Sequence, residues 1–343
     1  MPEFSIGGRL IGPAHAPLVI AEIGINHEGS MEKAVNMIDD AVAAGCECIK
    51  FQTHVIADEM IPNTVVPGNA EETIWEIMTR CALDAEEESQ LKSYVEAKGA
   101  IFLSTPFSRA AAEQLIKLNV DGFKIGSGEC NNYPLLEHVA SYGKPVILST
   151  GMNDLEAIDK SVHILTKSNV PTALMQCTSM YPTPYTKVNL GALSELRARY
   201  KTELVGLSDH TIGNFTCYGA TALGACILEK HFTSDRNWPG PDIPISITPP
   251  ELKELIVGSK AIFQALGGTK QIHDEEETTI AFAHASVVTI KAIQEGEKFT
   301  MQNIWVKRPG TGELPAAELE NVLGKVAARN IKLNEQLVWN DIQ

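Results

Sequence analysis

The sequence predicts an α/β fold, a (β/α)8 TIM barrel followed by a small mainly-β domain, and three observations carry that prediction. Eight short apolar runs of strand type alternate with amphipathic, helix-length segments over about 250 residues, the usual length of such a barrel. Charged or hydroxyl-bearing residues recur at the C-terminal ends of these runs, where parallel α/β folds keep their chemistry. Beyond Gly268 the composition shifts to turn residues and an acidic stretch, then to short β runs with glycine turns.

The first strand is LVIAEIG from Leu18, and ECIKFQ from Glu47, AIFLST from Ala100 and GFKIGS from Gly122 follow. PVILST from Pro145, TALMQC from Thr172, LVGLS from Leu204 and CILEKHF from Cys226 complete the eight. The 3.6-residue period predicts helices over residues 31–44, 85–98, 108–118, 154–166, 215–223 and 249–266. An open doubly wound sheet is the competing architecture, but GINHEG after the first strand is not the glycine fingerprint of a dinucleotide turn. Residues 53–80 form an unusually long connection with a short helix expected from Glu71. On a catalytic rim such a loop is expected to cover substrate, with Asn69 turned inward. The domain limits predicted are 1–268 for the barrel, 269–282 for an exposed linker and 283–343 for the second domain.

Composition narrows the function. A net charge of −15 argues against a broad nucleic-acid surface, while leaving room for a small anion in a local basic pocket. No apolar run approaches the roughly 18 residues that a membrane span needs, so no membrane partner is expected. The N-terminal stretch shows no basic segment followed by an apolar core, which makes a cytoplasmic location the expectation. Seven cysteines, an odd number in strand and helix settings, read as free thiols rather than a disulfide framework.

The strand ends supply a coherent set: Glu22; Lys50 and Gln52; Ser104 and Thr105; Lys124, Ser127 and Glu129; Ser149 and Thr150; Thr178, Ser179 and Tyr181; Ser208 and His210; His231. Two lysines within a ring of hydroxyls describe a site for a small phosphate or carboxylate. A lysine at such a place also suits Schiff-base chemistry, but the two histidines argue otherwise, since a metal would already supply the electrophile. Ser104, Thr150 and Thr178 have a local structural role as their alternative. His210 and His231 end neighbouring strands of one βαβ unit, so their imidazoles open onto one rim beside Asp209 and Glu229. Two readings stand here: a metal pair, or histidines bonded to their own loops with Asp209, Glu229 and Lys230 in plain ion pairs.

The ordered stretches AEIGINHEGS, KFQTH, FLSTPFS, FKIGSGECNNYPLL, ILSTGM, YPTPY, GLSDHT and LEKHFT, with VKRPGTG in the small domain, resemble the bacterial N-acetylneuraminate (sialic acid) synthases over nearly the whole chain. The resemblance implies condensation of phosphoenolpyruvate with N-acetylmannosamine and water, releasing phosphate. It implies a divalent metal, manganese preferred or magnesium, held by His210 and His231. The second domain would be an antifreeze-like (SAF) domain that covers the partner's barrel mouth in a homodimer. Lys50, Thr105, Lys124, Ser127, Ser149 and Ser208 match the phosphoenolpyruvate-binding set. Gln52, Asn69, Tyr181 and Asp242 match sugar-facing positions, Arg308 an arginine reaching across the dimer, and Phe282 a residue at the same mouth. Glu22 and Glu129 match acidic residues near the reacting atoms, Glu22 being the leading base. Ser179 stands where an asparagine is expected to contact phosphoenolpyruvate, and Gln176 where relatives often carry histidine. Legionaminic or pseudaminic acid synthases taking a di-acetamido sugar are alternatives within this resemblance, as is use of a 6-phosphate sugar. A metal aldolase, a silent scaffold and an ice-binding protein lie outside it.

Overall fold

The computed structural model describes residues 2–343 as two compact units, one ending at Gly267 and the other running from Gly268 to Gln343. A hairpin of β1 (Phe4–Ile6) and β2 (Arg9–Ile11) precedes the barrel of the first unit. Eight parallel strands follow, β3 (Leu18–Gly24), β4 (Cys48–Thr53), β5 (Ile101–Pro106), β6 (Phe123–Ile125), β7 (Val146–Ser149), β8 (Thr172–Cys177), β9 (Leu204–Asp209) and β10 (Ile227–His231). Their ladders run in the order β5-β4-β3-β10-β9-β8-β7-β6, and β5 and β6 lie side by side at the seam. Every run expected to be a strand is one.

The connecting helices are α1 (Met31–Ala43), α2 (Ile56–Glu59), α3 (Ile74–Cys81), α4 (Ala85–Ala97), α5 (Arg109–Lys117), α6 (Tyr133–Ala140), α7 (Leu155–Lys167), α8 (Gly191–Arg199), α9 (Phe215–Ala222) and α10 (Pro249–Ala265). Side-chain caps start four of them within a residue of where the sequence predicts: Ser30 for α1, Asp84 with Glu87 for α4, Ser108 for α5 and Asp154 for α7. The long connection carries α2 and α3, and Thr73 and Glu76 form a capping box that sets the start of α3.

Alternation along each strand divides the core in two. Val19, Ile49, Phe51, Phe102, Phe123, Leu148, Leu174, Leu207 and Leu228 point outward against the helices. Ile20, Cys48, Leu103, Ile147, Met175 and Ile227 fill the barrel, joined from below by Ile6 and Ile11 of the hairpin. The hairpin is absent from the sequence reading because its strands of three residues are too short for a periodic signal.

In the second unit, α11 (Glu277–Ala283) precedes β11 (Ser286–Thr289), which pairs antiparallel with β12 (Ile304–Lys307). A 3-10 turn (Ala316–Glu318) and the short α12 (Leu319–Val322) follow β12. Val287, Ile293, Phe299, Ile304, Leu314, Val322, Ala327, Ile331 and Leu337 form its core. The stretch 269–282, expected as linker, is exposed and partly helical. All seven cysteines are buried and free. Among the described residues no helix is long and apolar enough to cross a membrane.

Candidate active site

The inward layer nearest the C-terminal ends of the strands consists of Glu22, Lys50, Thr105, Lys124, Ser149, Cys177, Ser208 and Glu229, one from each strand. The same alternation that fills the barrel with aliphatic side chains one layer below makes this layer polar. Lys50 Nζ lies 2.7 Å from Glu22 Oε2 and donates to Thr105 Oγ1 at 3.2 Å. The contact with Glu22 is a buried ion pair. Lys124 donates to Ser149 Oγ at 2.7 Å. Glu229 stands between the two ammonium groups, 3.8 Å from Lys50 and 3.6 Å from Lys124, and accepts from Ser208 Oγ at 3.1 Å. Gln52 Nε2 reaches Glu22 Oε1 at 2.9 Å from the half-buried end of β4.

Burial sets the electrostatics of this cluster. It would raise Glu229, but the fields of Lys124 and Lys50 outweigh it and hold this carboxylate below its ordinary range. Burial raises Glu22, opposed by Lys50 and reinforced by Glu229, and the net is upward. Burial also lowers Lys124, whereas at Lys50 the two carboxylates overcome it. Glu22 therefore takes a proton more readily than an ordinary glutamate. Of the two ammonium groups, Lys124 loses its proton the more easily.

His210 and His231 lie on the same rim with ring centroids 5.4 Å apart, and Tyr181 stacks on His210 at 4.2 Å. The Nδ1 of His210 faces the Thr178 carbonyl at 2.9 Å, which places the proton there and leaves Nε2 with its lone pair. Burial, then His210 and the lysines, push His231 well below the usual imidazole range. Its Nδ1 is buried without a hydrogen-bond partner, 3.8 Å from Asp242 Oδ2. Burial lowers His210, but Cys177, the Thr178 carbonyl and Asp209 outweigh it and the net is upward. The unpartnered Nδ1 of His231 and the Nε2 of His210 fit a divalent ion, which would bind both rings in their neutral form. Among the described residues no cluster of three or more His, Cys, Asp or Glu encloses one, so water or substrate would fill the remaining positions, as in open catalytic sites.

Beside the histidines a cavity of about 210 Å³ is lined by Gln52, Asn69, Tyr181, His231 and Asp242 on its polar side. Ile25, Ile74, Ile77 and Met78 supply its apolar wall. Burial raises Asp242 to about 6. Asn69 is exposed and donates to the Pro241 carbonyl at 3.1 Å. Ser127 and Ser179 meet at Gly151, whose N–H donates to Ser127 Oγ at 3.0 Å. A β-carbon at 151 would stand 2.6 Å from Ser179 Oγ and 2.8 Å from Ser127 Oγ, so only glycine fits between these hydroxyls.

Not every expected residue joins this cluster. Glu129 follows β6 in a 3-10 turn, accepts from Asn132 and lines a separate cavity with Asp58, Glu59 and Phe107. Ser104, Thr150 and Thr178 bond locally, to Thr53, the Met175 carbonyl and the Lys187 carbonyl. Gln176 points out of the barrel to the Val188 carbonyl. Phe282 and Arg308 are exposed residues of the second unit. Asp209, expected beside His210, turns to the helix side and pairs with Lys230. Glu229 is the residue whose place the sequence reading missed. Period two counted back from His231 would have found it.

A model of the NeuB family matches residues 37–271, and one of the SAF domain matches residues 284–343. The chain is 36% identical over 328 residues to the N,N'-diacetyllegionaminic acid synthase of Campylobacter jejuni, covering 93% of this chain and 98% of that protein. It is 33% identical over 343 residues to the human N-acetylneuraminate-9-phosphate synthase, covering 97% and 96%. The crystal structure of the N-acetylneuraminic acid (sialic acid) synthetase of Leptospira borgpetersenii, in complex with citrate, superposes with a TM-score of 0.75 at 33% identity, covering 81% of this chain and 95% of that one.

Proposed function

The chain belongs to the NeuB family and carries a SAF domain, and on that premise we propose that it condenses phosphoenolpyruvate with N-acetylmannosamine and water to give N-acetylneuraminate and phosphate. The observation that carries this reading is the pair of buried ammonium groups, Lys50 and Lys124, facing a histidine pair across one barrel mouth. Lys50 and Lys124, with Thr105, Ser127, Ser149, Ser179 and Ser208, bind the anionic oxygens of phosphoenolpyruvate. Gln52, Asn69, Tyr181 and Asp242 orient the sugar. A divalent ion held by His210 and His231, manganese or magnesium, would supply Lewis-acid polarisation of the sugar aldehyde. The new bond joins C3 of phosphoenolpyruvate to the aldehyde carbon. Water adds at C2 with Glu22 taking one proton, and the former aldehyde oxygen gains a proton to become the new hydroxyl. The carbon–oxygen bond to phosphate breaks as C2 becomes the ketone, its hydroxyl proton leaving with the phosphate. Glu129 is the reserve candidate for that proton. In a homodimer, Arg308 and Phe282 would act at the partner's barrel mouth.

Metal-stripped protein resupplied with manganese is expected to release phosphate from phosphoenolpyruvate only when N-acetylmannosamine is present. One observation favours a second reading, the apolar wall of Ile25, Ile74, Ile77 and Met78, which suits a deoxygenated di-acetamido sugar. Release with that sugar and none with N-acetylmannosamine would make the protein a legionaminic- or pseudaminic-type synthase. Release with neither would reject both readings.

A further inference from the structure

We propose that the buried Asp209–Lys230 ion pair positions the two histidines for a divalent cation, an inference that rests on the metal reading above. His210 and His231 face the barrel mouth, and the residue before each faces the opposite way. Asp209 and Lys230 are register partners in the ladder between β9 and β10. Their charged groups meet at 2.9 Å on the helix side, with 1% and 0% of the side chains exposed. Lys230 also donates to the Thr211 carbonyl at 2.6 Å. Asp209 accepts from the Thr211 N–H at 3.2 Å, the Thr211 hydroxyl at 2.9 Å and the Thr216 hydroxyl at 2.7 Å. One carboxylate and one ammonium thus tie the end of β9, the turn after His210, the start of α9 and β10 into a single unit.

Stability alone is a poor reason for this pair. Removing two charges from water is expensive, and well-packed apolar residues often serve a core as well as a buried ion pair does. What apolar side chains lack is direction. The pair locks the backbone on both sides of His210 and immediately before His231, the backbone from which both imidazoles project. An ion held by only two protein nitrogens depends on their spacing, and loss of an outer partner commonly costs about 10–100-fold in metal affinity.

The test uses the full-length protein, freed of metal and titrated with Mn2+ while free Mn2+ is followed by electron paramagnetic resonance. The paired variant Asp209→Asn/Lys230→Met removes both charges at similar volume. It is expected to fold, to bind Mn2+ about 10-fold more weakly or worse, and to keep near wild-type affinity for phosphoenolpyruvate, whose lysines sit on other strands. Wild-type Mn2+ affinity in the folded variant would overturn the inference. Should the paired variant not fold, Thr216→Val removes a single donor to Asp209 and is read the same way: weaker Mn2+ binding supports the positioning role, and unchanged binding overturns it. Failure of the wild-type protein itself to bind Mn2+ would sink the metal reading and this inference with it.

Discussion

The Lys50 ammonium stands 2.7 Å from a carboxylate oxygen of Glu22, and both side chains are almost wholly buried. Such a pair holds a proton acceptor next to a cation inside the barrel. Glu22→Gln keeps shape and packing while removing the acceptor. The turnover number is expected to fall about 10²–10⁴-fold, with Mn2+ and phosphoenolpyruvate affinities close to wild type. Steady-state kinetics with separate binding titrations check this, and an unchanged turnover number would remove Glu22 from the mechanism.

Lys124 is tied to Ser149 and lies 3.6 Å from Glu229, an ammonium poised to meet an anion. Replacing it by methionine preserves the stem and deletes the charge. The KM for phosphoenolpyruvate is expected to rise about 10-fold or more, the size of one charge-assisted hydrogen bond, while the KM for the sugar changes little. Equal rises in both would point to general damage to the barrel mouth.

The barrel was legible because its signals are local and repeated: strand runs, caps and helical periods agree from Leu18 to α10. Lys50, Lys124, His210 and His231 could be read from their places at strand ends. Glu229 was passed over because beside Lys230 it reads as half of a plain ion pair, although strand alternation puts both of its neighbours, Leu228 and Lys230, on the opposite face. His231, read as facing the rim, fixes the parity, and two residues back along the strand lies Glu229 on the same inward face. The partners of Gln52 were also hidden, since they come from β3 and from the long second connection.

That connection reaches the site through a line of hydrogen bonds. Glu59 contacts His54 Nδ1 at 2.8 Å, His54 Nε2 contacts Gln52 Oε1 at 3.2 Å, and Gln52 Nε2 donates to Glu22. Phe107 stacks on the His54 ring at 4.6 Å and keeps it in line. The Gln52 donor lowers Glu22, so freeing that amide is expected to raise Glu22 further. A base acts only when deprotonated, hence His54→Leu should move the acid limb of the activity profile to higher pH and raise the KM for the sugar. A profile that superposes on wild type would show that the line does not govern Glu22.

Arg308, placed by resemblance at the partner's barrel mouth, gives a test of the shared site. Arg308→Ala and His231→Ala are each expected to lose most activity. Co-refolded, they should regain part of it, because each mixed dimer contains one barrel with its histidines intact facing an intact arginine. Mixtures no more active than the separate variants would place Arg308 outside the site.

Glu88, on α4, is buried away from the site, and burial pushes its carboxyl up to about 7 despite a hydrogen bond from Gln114. Its second oxygen has no partner. With the folded value above the unfolded one, the folded state holds the proton more tightly between about pH 4.5 and 7, so stability falls as pH rises through that window. Above it the folded protein carries the full cost of a buried, half-satisfied charge, on the order of 3 kcal/mol. Glu88→Gln stays neutral and can still accept from Gln114. Its melting temperature is expected to exceed that of wild type by a few degrees at pH 8 and to match it near pH 4.5. Thermal unfolding at the two pH values decides the matter. A variant less stable at pH 8 would mean that the Glu88 charge finds a compensating partner in solution.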